Sequence, residues 1–206
     1  MRRHPIYLLL DTSSSMRGEA IEAVKSNLQS LISSLKADVF NSESIFISVI
    51  TYDSTVKVRN PLTSLKKFTL PFLDIPRTSL TNTGAALEIL LEQYRKEIIR
   101  TGDEPDYSPI VFIMTDGTPS DTALFKKMID MLRSYRFAKI IGLNAGPPNK
   151  RDHLELLTKD IYNTDMMDRN AFSQFWKWVS EEIKKEVCKD NEIIELPPPP
   201  DEIHLI

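Results

Sequence analysis

Residues Ile6–Met16 read IYLLLDTSSSM. Five apolar residues, enough for a buried strand, give way at once to one acid and four hydroxyl side chains. Near-continuous apolar runs suit strands covered on both faces, as in a parallel sheet. Three more such runs follow, at Ile45–Tyr52, Ile110–Met114 and Lys139–Leu143. Between the runs, apolar residues recur at helical spacing. One stripe is Ile21, Val24, Leu28, Leu31, Ile32 and Leu35; a second is Leu87, Leu90, Leu91, Tyr94 and Ile98. Leu124, Met128, Leu132 and Tyr135 make a third, and Phe172, Phe175, Trp176, Val179 and Ile183 an aromatic-rich last one. Each stripe predicts a helix face packed on the sheet. Thr55–Asn60, TVKVRN, alternates instead, and only Asp53 and Ser54 separate it from the preceding run. That pattern predicts a hairpin and an antiparallel edge strand. A short strand is expected near Ile161–Tyr162. The sum is an α/β domain: a doubly wound, mostly parallel sheet with one antiparallel edge strand and helices on both faces.

A chain of 206 residues suits one such domain, expected over residues 1–190, with a proline-rich tail over 191–206. Pro197–Pro200 favour an extended polyproline form. Ile203, Leu205 and Ile206 beyond them suggest docking rather than a purely solvated tail. With 41% hydrophobic and 27% charged residues, the composition argues against disordered and membrane classes. A net charge of −3 without a Lys/Arg block argues against a nucleic-acid partner. No apolar run is long enough to span a bilayer. Asp11 ends the first run too early for an export signal, and Cys188 is the single cysteine, so the cytoplasm is the expected compartment. The loop Gly102–Pro109, GDEPDYSP, reads as an exposed turn.

In open α/β sheets, ligands bind at the carboxyl ends of the strands. Asp11, Ser13 and Ser15 follow the first strand there. Asp116-Gly117 follows the third parallel run. Thr81 lies in SLTNTGAAL, residues 79–87, just before the second helix. In that segment Thr81, Asn82 and Thr83 are candidate caps, and Gly84 permits close backbone approach. Two acids and several hydroxyls thus converge on one rim. Such a set suits a hard divalent cation, Mg²⁺ or Mn²⁺, with Ser13, Ser15 and Thr81 as neutral ligands. Asp11 and Asp116 supply charge directly or through water. Without Cys or His, softer metals are disfavoured.

Asp11-x-Ser13-x-Ser15, Thr81 ahead of Asn82-Thr83-Gly84, and Asp116-Gly117 together resemble the metal-ion-dependent adhesion site of von Willebrand factor type A domains. The resemblance covers roughly Ile6 to Val187. It implies a non-catalytic interaction module whose metal keeps one position open for an Asp or Glu of a protein partner. The chain is also similar to small bacterial cytoplasmic members found with tellurium-resistance and chemical-stress systems, which implies a protein kinase or metal-dependent phosphatase as partner. Rim loops near Arg17, Asp53, Arg77–Leu80, Pro119 and Asn144–Pro148 would then give specificity. In the family, ligation can couple to movement of the last helix, here Phe172–Val187, and so to the tail.

The competing reading is a Mg²⁺-dependent phosphatase with Asp11 as nucleophile. Such enzymes need a second Asp two residues on as general acid, and that position is Ser13. No phosphate-cradling G-x-x-x-x-G-K-[ST] loop occurs. Asp53 is read as a turn residue and Asn144 as orienting loops. The histidines His4, His153 and His204 share no metal spacing; His4 and His204 are expected at the surface. Trp176 is expected in the core, and Trp178, off the stripe, as a partner anchor or a cover for the tail.

Overall fold

In a computed structural model, residues 2–37, 43–74, 79–145, 152–163, 174–181 and 183 are described. The tail, with His204 and Pro197–Pro200, lies outside them, as do Cys188, Arg77, Pro148, Phe172 and Val187. The strands are β1 (His4–Asp11), β2 (Ile45–Tyr52), β3 (Val56–Ser64), β4 (Ile110–Thr115), β5 (Lys139–Asn144) and β6 (Asp160–Asn163). The helices are α1 (Glu19–Lys36), α2 (Thr83–Glu97), α3 (Thr122–Leu132), the short α4 (Asp152–Glu155) and α5, described at residues 174–181 and 183.

The six strands form one sheet in the order β3-β2-β1-β4-β5-β6. β3 alone runs antiparallel, against β2. The chain winds outward from β1 in both directions, so β1 and β4 lie side by side at its centre. Alternation along β1 sorts the two faces. Ile6, Leu8 and Leu10 point to a core closed by α1 and α5, with Leu28, Trp176 and Val179. Tyr7 and Leu9 point to a second core closed by α2, α3 and α4, with Leu87, Leu90, Phe125 and Leu154. All eight residues of β1 are buried, as a central strand covered on both sides requires.

Three sequence expectations need correction. His4 is buried, because β1 begins two residues before the apolar run, and its ring stacks on Tyr107 at 4.0 Å. Trp178 is buried, not an exposed partner anchor; the tail it was alternatively expected to cover lies outside the described residues. The Trp178 ring lies 5.7 Å from both Phe175 and Tyr162. Tyr162 of β6 extends the sheet beneath α5, so the helix buries a wider arc than its apolar stripe suggests. The loop Gly102–Pro109 is exposed only in its first half: Tyr107 is buried, and the Asp106 carboxylate is paired with Arg3, with Arg3 Nε donating to Oδ1 at 2.7 Å.

No helix among the described residues is long and apolar enough to cross a membrane. Helices α2 and α3 approach so closely that a Cβ on Gly84 would lie 2.4 Å from the backbone nitrogen of Phe125. Exchanging Gly for Ala inside a helix normally stabilises by about 1 kcal/mol. Here Gly84→Ala is expected to do the reverse, costing about 1–3 kcal/mol as the helices are forced apart. Urea denaturation reads the sign directly; a stabilised variant would contradict the packing.

Candidate metal centre

β1 and β4 end side by side, which brings Asp11 beside Thr115 and Asp116. The Asp11 side chain is fully buried. Its Oδ1 accepts the Ser13 backbone N–H at 2.8 Å, folding the chain back over the strand end. Its Oδ2 accepts the Thr115 hydroxyl at 2.7 Å, tying β1 to β4. The turn then passes through a 3-10 turn at Ser14–Met16. That turn sets the Ser13 and Ser15 hydroxyls 3.0 Å apart, and Ser15 donates onward to Asp116 Oδ1 at 2.9 Å. Four of the five expected ligands thus form one hydrogen-bonded chain.

Thr81 arrives from a different direction. Its N–H donates to the Ser120 hydroxyl at 3.0 Å, and its carbonyl accepts the Ser120 N–H at 2.8 Å. This two-bond bracket fixes Thr81 to the loop after β4. Its hydroxyl faces Gly117, where a Cβ would stand 3.7 Å away. Thr81 is buried, Asp116 half-buried and Ser15 exposed, so the group reaches solvent at Ser15.

The expected caps of α2 need correction. Asn82 occupies the N-cap position but makes no side-chain cap; its amide donates to the Ser54 carbonyl at 3.0 Å. The cap comes from the next helix. Asp121 accepts the Gly84 N–H at 3.0 Å and the Ala85 N–H at 2.8 Å. It thereby satisfies two of the orphan donors at a helix start. Asp121 and Ser120 are the site residues that sequence reading missed. Their signal was weak, since a cap contributed by a distant helix has no fixed spacing. Asp53 does serve its turn, accepting Thr55 N–H at 2.9 Å. It also accepts the Thr12 hydroxyl at 3.2 Å, and its carbonyl takes the Asn82 N–H at 2.9 Å. Asn144 is buried beside Thr115 at the end of β5.

A von Willebrand factor type A domain model matches residues 6–175. The chain belongs to this family. No curated protein matches it. Among solved structures, it resembles proximal thread matrix protein 1 from the mussel byssus, described with a zinc-occupied MIDAS motif. That match has 18% identity over 87% of this chain and 45% of that one, at a TM-score of 0.60. It also resembles a von Willebrand factor type A protein from Catenulispora acidiphila, with 13% identity over 88% and 42%, at a TM-score of 0.63. The PilB minor pilin from Streptococcus sanguinis matches with 9% identity over 91% and 63%, at a TM-score of 0.65. The chain spans less than two thirds of the length of each. At these identities the likeness establishes the fold alone.

Burial pushes the Asp11 carboxyl up from 3.8 to about 6, against the hydrogen bonds from Thr115 and Ser13; Asp116 adds to the rise. A raised folded value means that the fold favours the protonated form. Its contribution to stability is full below about pH 4 and is lost as pH rises through about 6. In chelator-treated protein, wild type should therefore lose about 3 kcal/mol relative to Asp11→Asn between pH 4 and 7. Denaturation curves of the two proteins across that range provide the check. A constant difference between them would show that Asp11 is not strained in this way.

Proposed function

We propose that the domain is a metal-dependent protein-interaction module, in which Asp11, Ser13, Ser15, Thr81 and Asp116 hold a divalent cation. The observation that carries this reading is the hydrogen-bonded chain Asp11–Ser13–Ser15–Asp116, with Thr81 pinned beside it at Gly117. Hydroxyls predominate in the set. Among the described residues there is no cluster of three or more His, Cys, Asp or Glu. Neutral and carboxylate oxygens fit hard Mg²⁺ or Mn²⁺ better than a thiophilic metal. The zinc-occupied motif of the mussel protein supports a divalent ion in a domain of this fold.

The cation, when bound, supplies a focused positive charge with a position left for one more oxygen ligand, such as an Asp or Glu of a partner protein. The chain's own residues determine how well that charge is presented. Asp11 is held at both oxygens and contributes its charge without swinging. Ser13 and Ser15 share a turn fixed by Asp11, so their hydroxyls are preorganised. Thr81 depends on Ser120 for its place. Leu80, half-exposed beside Thr81, offers an apolar contact of the kind that must accompany a single charged one. The resemblance to bacterial stress-system proteins supports a kinase or phosphatase as partner in a cytoplasmic assembly.

The geometry disfavours the phosphatase reading. A nucleophilic carboxylate must reach its substrate, whereas Asp11 is buried and both its oxygens are engaged. We expect Mg²⁺ or Mn²⁺ to bind wild type in calorimetry, and Ser13→Ala and Thr81→Ala to bind at least about tenfold more weakly. Capture of a partner from the native host lysate should disappear with chelator and with the same variants. Equal metal binding by all three proteins would overturn the assignment. Turnover of a phosphate ester that is lost in Asp11→Asn would favour the enzyme.

A further inference from the structure

Beneath the candidate cation site lie two hydroxyl groups that none of the five expected ligands supplies. The first belongs to Tyr52, the last residue of β2. In the sheet, β2 and β4 flank β1 on opposite sides. The Tyr52 ring crosses the end of β1, because its hydroxyl donates to the Met114 carbonyl of β4 at 2.9 Å. Its backbone is anchored at the same level, with the Tyr52 carbonyl accepting the Thr12 N–H at 2.8 Å. One side chain thus spans three strand ends, on the face covered by α2 and α3. Met114 leads directly into Thr115 and Asp116. Thr115 in turn gives its hydroxyl proton to Asp11 at 2.7 Å and accepts the Gly117 N–H at 3.2 Å. Tyr52 therefore bears on both acids of the rim without being hydrogen-bonded to either.

Thr83 approaches the same point from α2. It is the first residue of that helix, two positions after Thr81 and one before Gly84. Its side chain is fully buried, yet its hydroxyl has no hydrogen-bond partner among the described residues. Expected as a cap, it caps nothing, since Asp121 takes the Gly84 and Ala85 N–H groups. An apolar residue of the same shape would fill the place without the cost of a buried, unpaired hydroxyl. Thr115 and Thr83 are the hydroxyl side chains that bear on the Tyr52 hydroxyl. The Thr115 proton is committed to Asp11. The Tyr52 oxygen, having given its own proton to Met114, keeps room to accept one. Of its two neighbours, Thr83 holds the uncommitted proton.

We propose that Tyr52 and Thr83 are positioning residues of the cation site. Gathering Thr81 and Asp116 about one ion brings Thr83 along, because its N–H is bonded to the Thr81 carbonyl at 3.0 Å. Tyr52 is held on the other side through Met114, two residues before Asp116. The Thr83 hydroxyl then donates to the Tyr52 oxygen. That bond fastens the start of α2 to the ends of β2, β1 and β4, and it forms only as the site closes. The inference rests on the cation reading given above and adds to it two residues that are not ligands.

The test pairs calorimetric titration of the full chain with Mg²⁺ and Mn²⁺ with urea denaturation in EDTA. Thr83→Val keeps the shape and removes the hydroxyl. It should bind the ions about tenfold more weakly than wild type, while its urea midpoint in EDTA is equal or higher. A merely structural role would not separate the two readings in this way. Thr83→Ser keeps a hydroxyl and should bind like wild type. Tyr52→Phe should weaken binding by about tenfold or more, and adding Thr83→Val to it should cost nothing further, because the two act through one bond. The proposal is overturned if Thr83→Val binds as wild type does or loses affinity and stability together. It is also overturned if Thr83→Ser binds as weakly as Thr83→Val, or if the two losses simply add. Wild type that binds neither ion would overturn the cation reading as well, an outcome distinct from these.

Discussion

A carboxylate buried where two central strands end organises the rim at the carboxyl ends of the strands. Asp11 ties its own turn to β1 through Ser13 and ties β1 to β4 through Thr115. Burying an acid is costly unless its oxygens are engaged, and here both are. The same two bonds that offset the cost also set the positions of Ser13 and, through it, Ser15. On the proposed reading, a residue that disfavours its own charged state is placed where a bound cation would restore it. Stability and binding would then be opposed at this one side chain.

The second support is less visible. α2 begins under the carboxylate of Asp121, which belongs to the residue preceding α3, and Thr81 is bracketed by Ser120 one position earlier. Gly84 then allows the two helices to meet backbone to backbone. These contacts join the Thr81 segment and the loop after β4 into one body. The three segments of the rim, far apart in sequence, are therefore not three independent loops.

Much of this was legible beforehand, and for particular reasons. Continuous apolar runs revealed the parallel strands, and the alternation of Val56 and Val58 revealed the one antiparallel edge. The five rim residues were legible because strand ends and a helix start fix their place in an α/β sheet. What escaped depended on contacts at long range. His4 and Tyr107 bury each other from separate segments, and Asp106 owes its burial to Arg3. Trp178 owes its own to Tyr162, eclipsing what its position on the helix implied. A polar or aromatic residue looks exposed in sequence until its distant partner is known.

The two margins of the sheet bear on how such a domain stays separate from its copies. β3 carries Pro61, which has no N–H to offer, and its pairing with β2 is interrupted by register shifts. β6, described over Asp160–Asn163 at the other margin, begins with an acid. Bulged, proline-bearing or charged borders make poor templates for a neighbouring strand. Cohesion by backbone zippering is thereby discouraged at both borders, and a molecule built this way meets others mainly through its side chains.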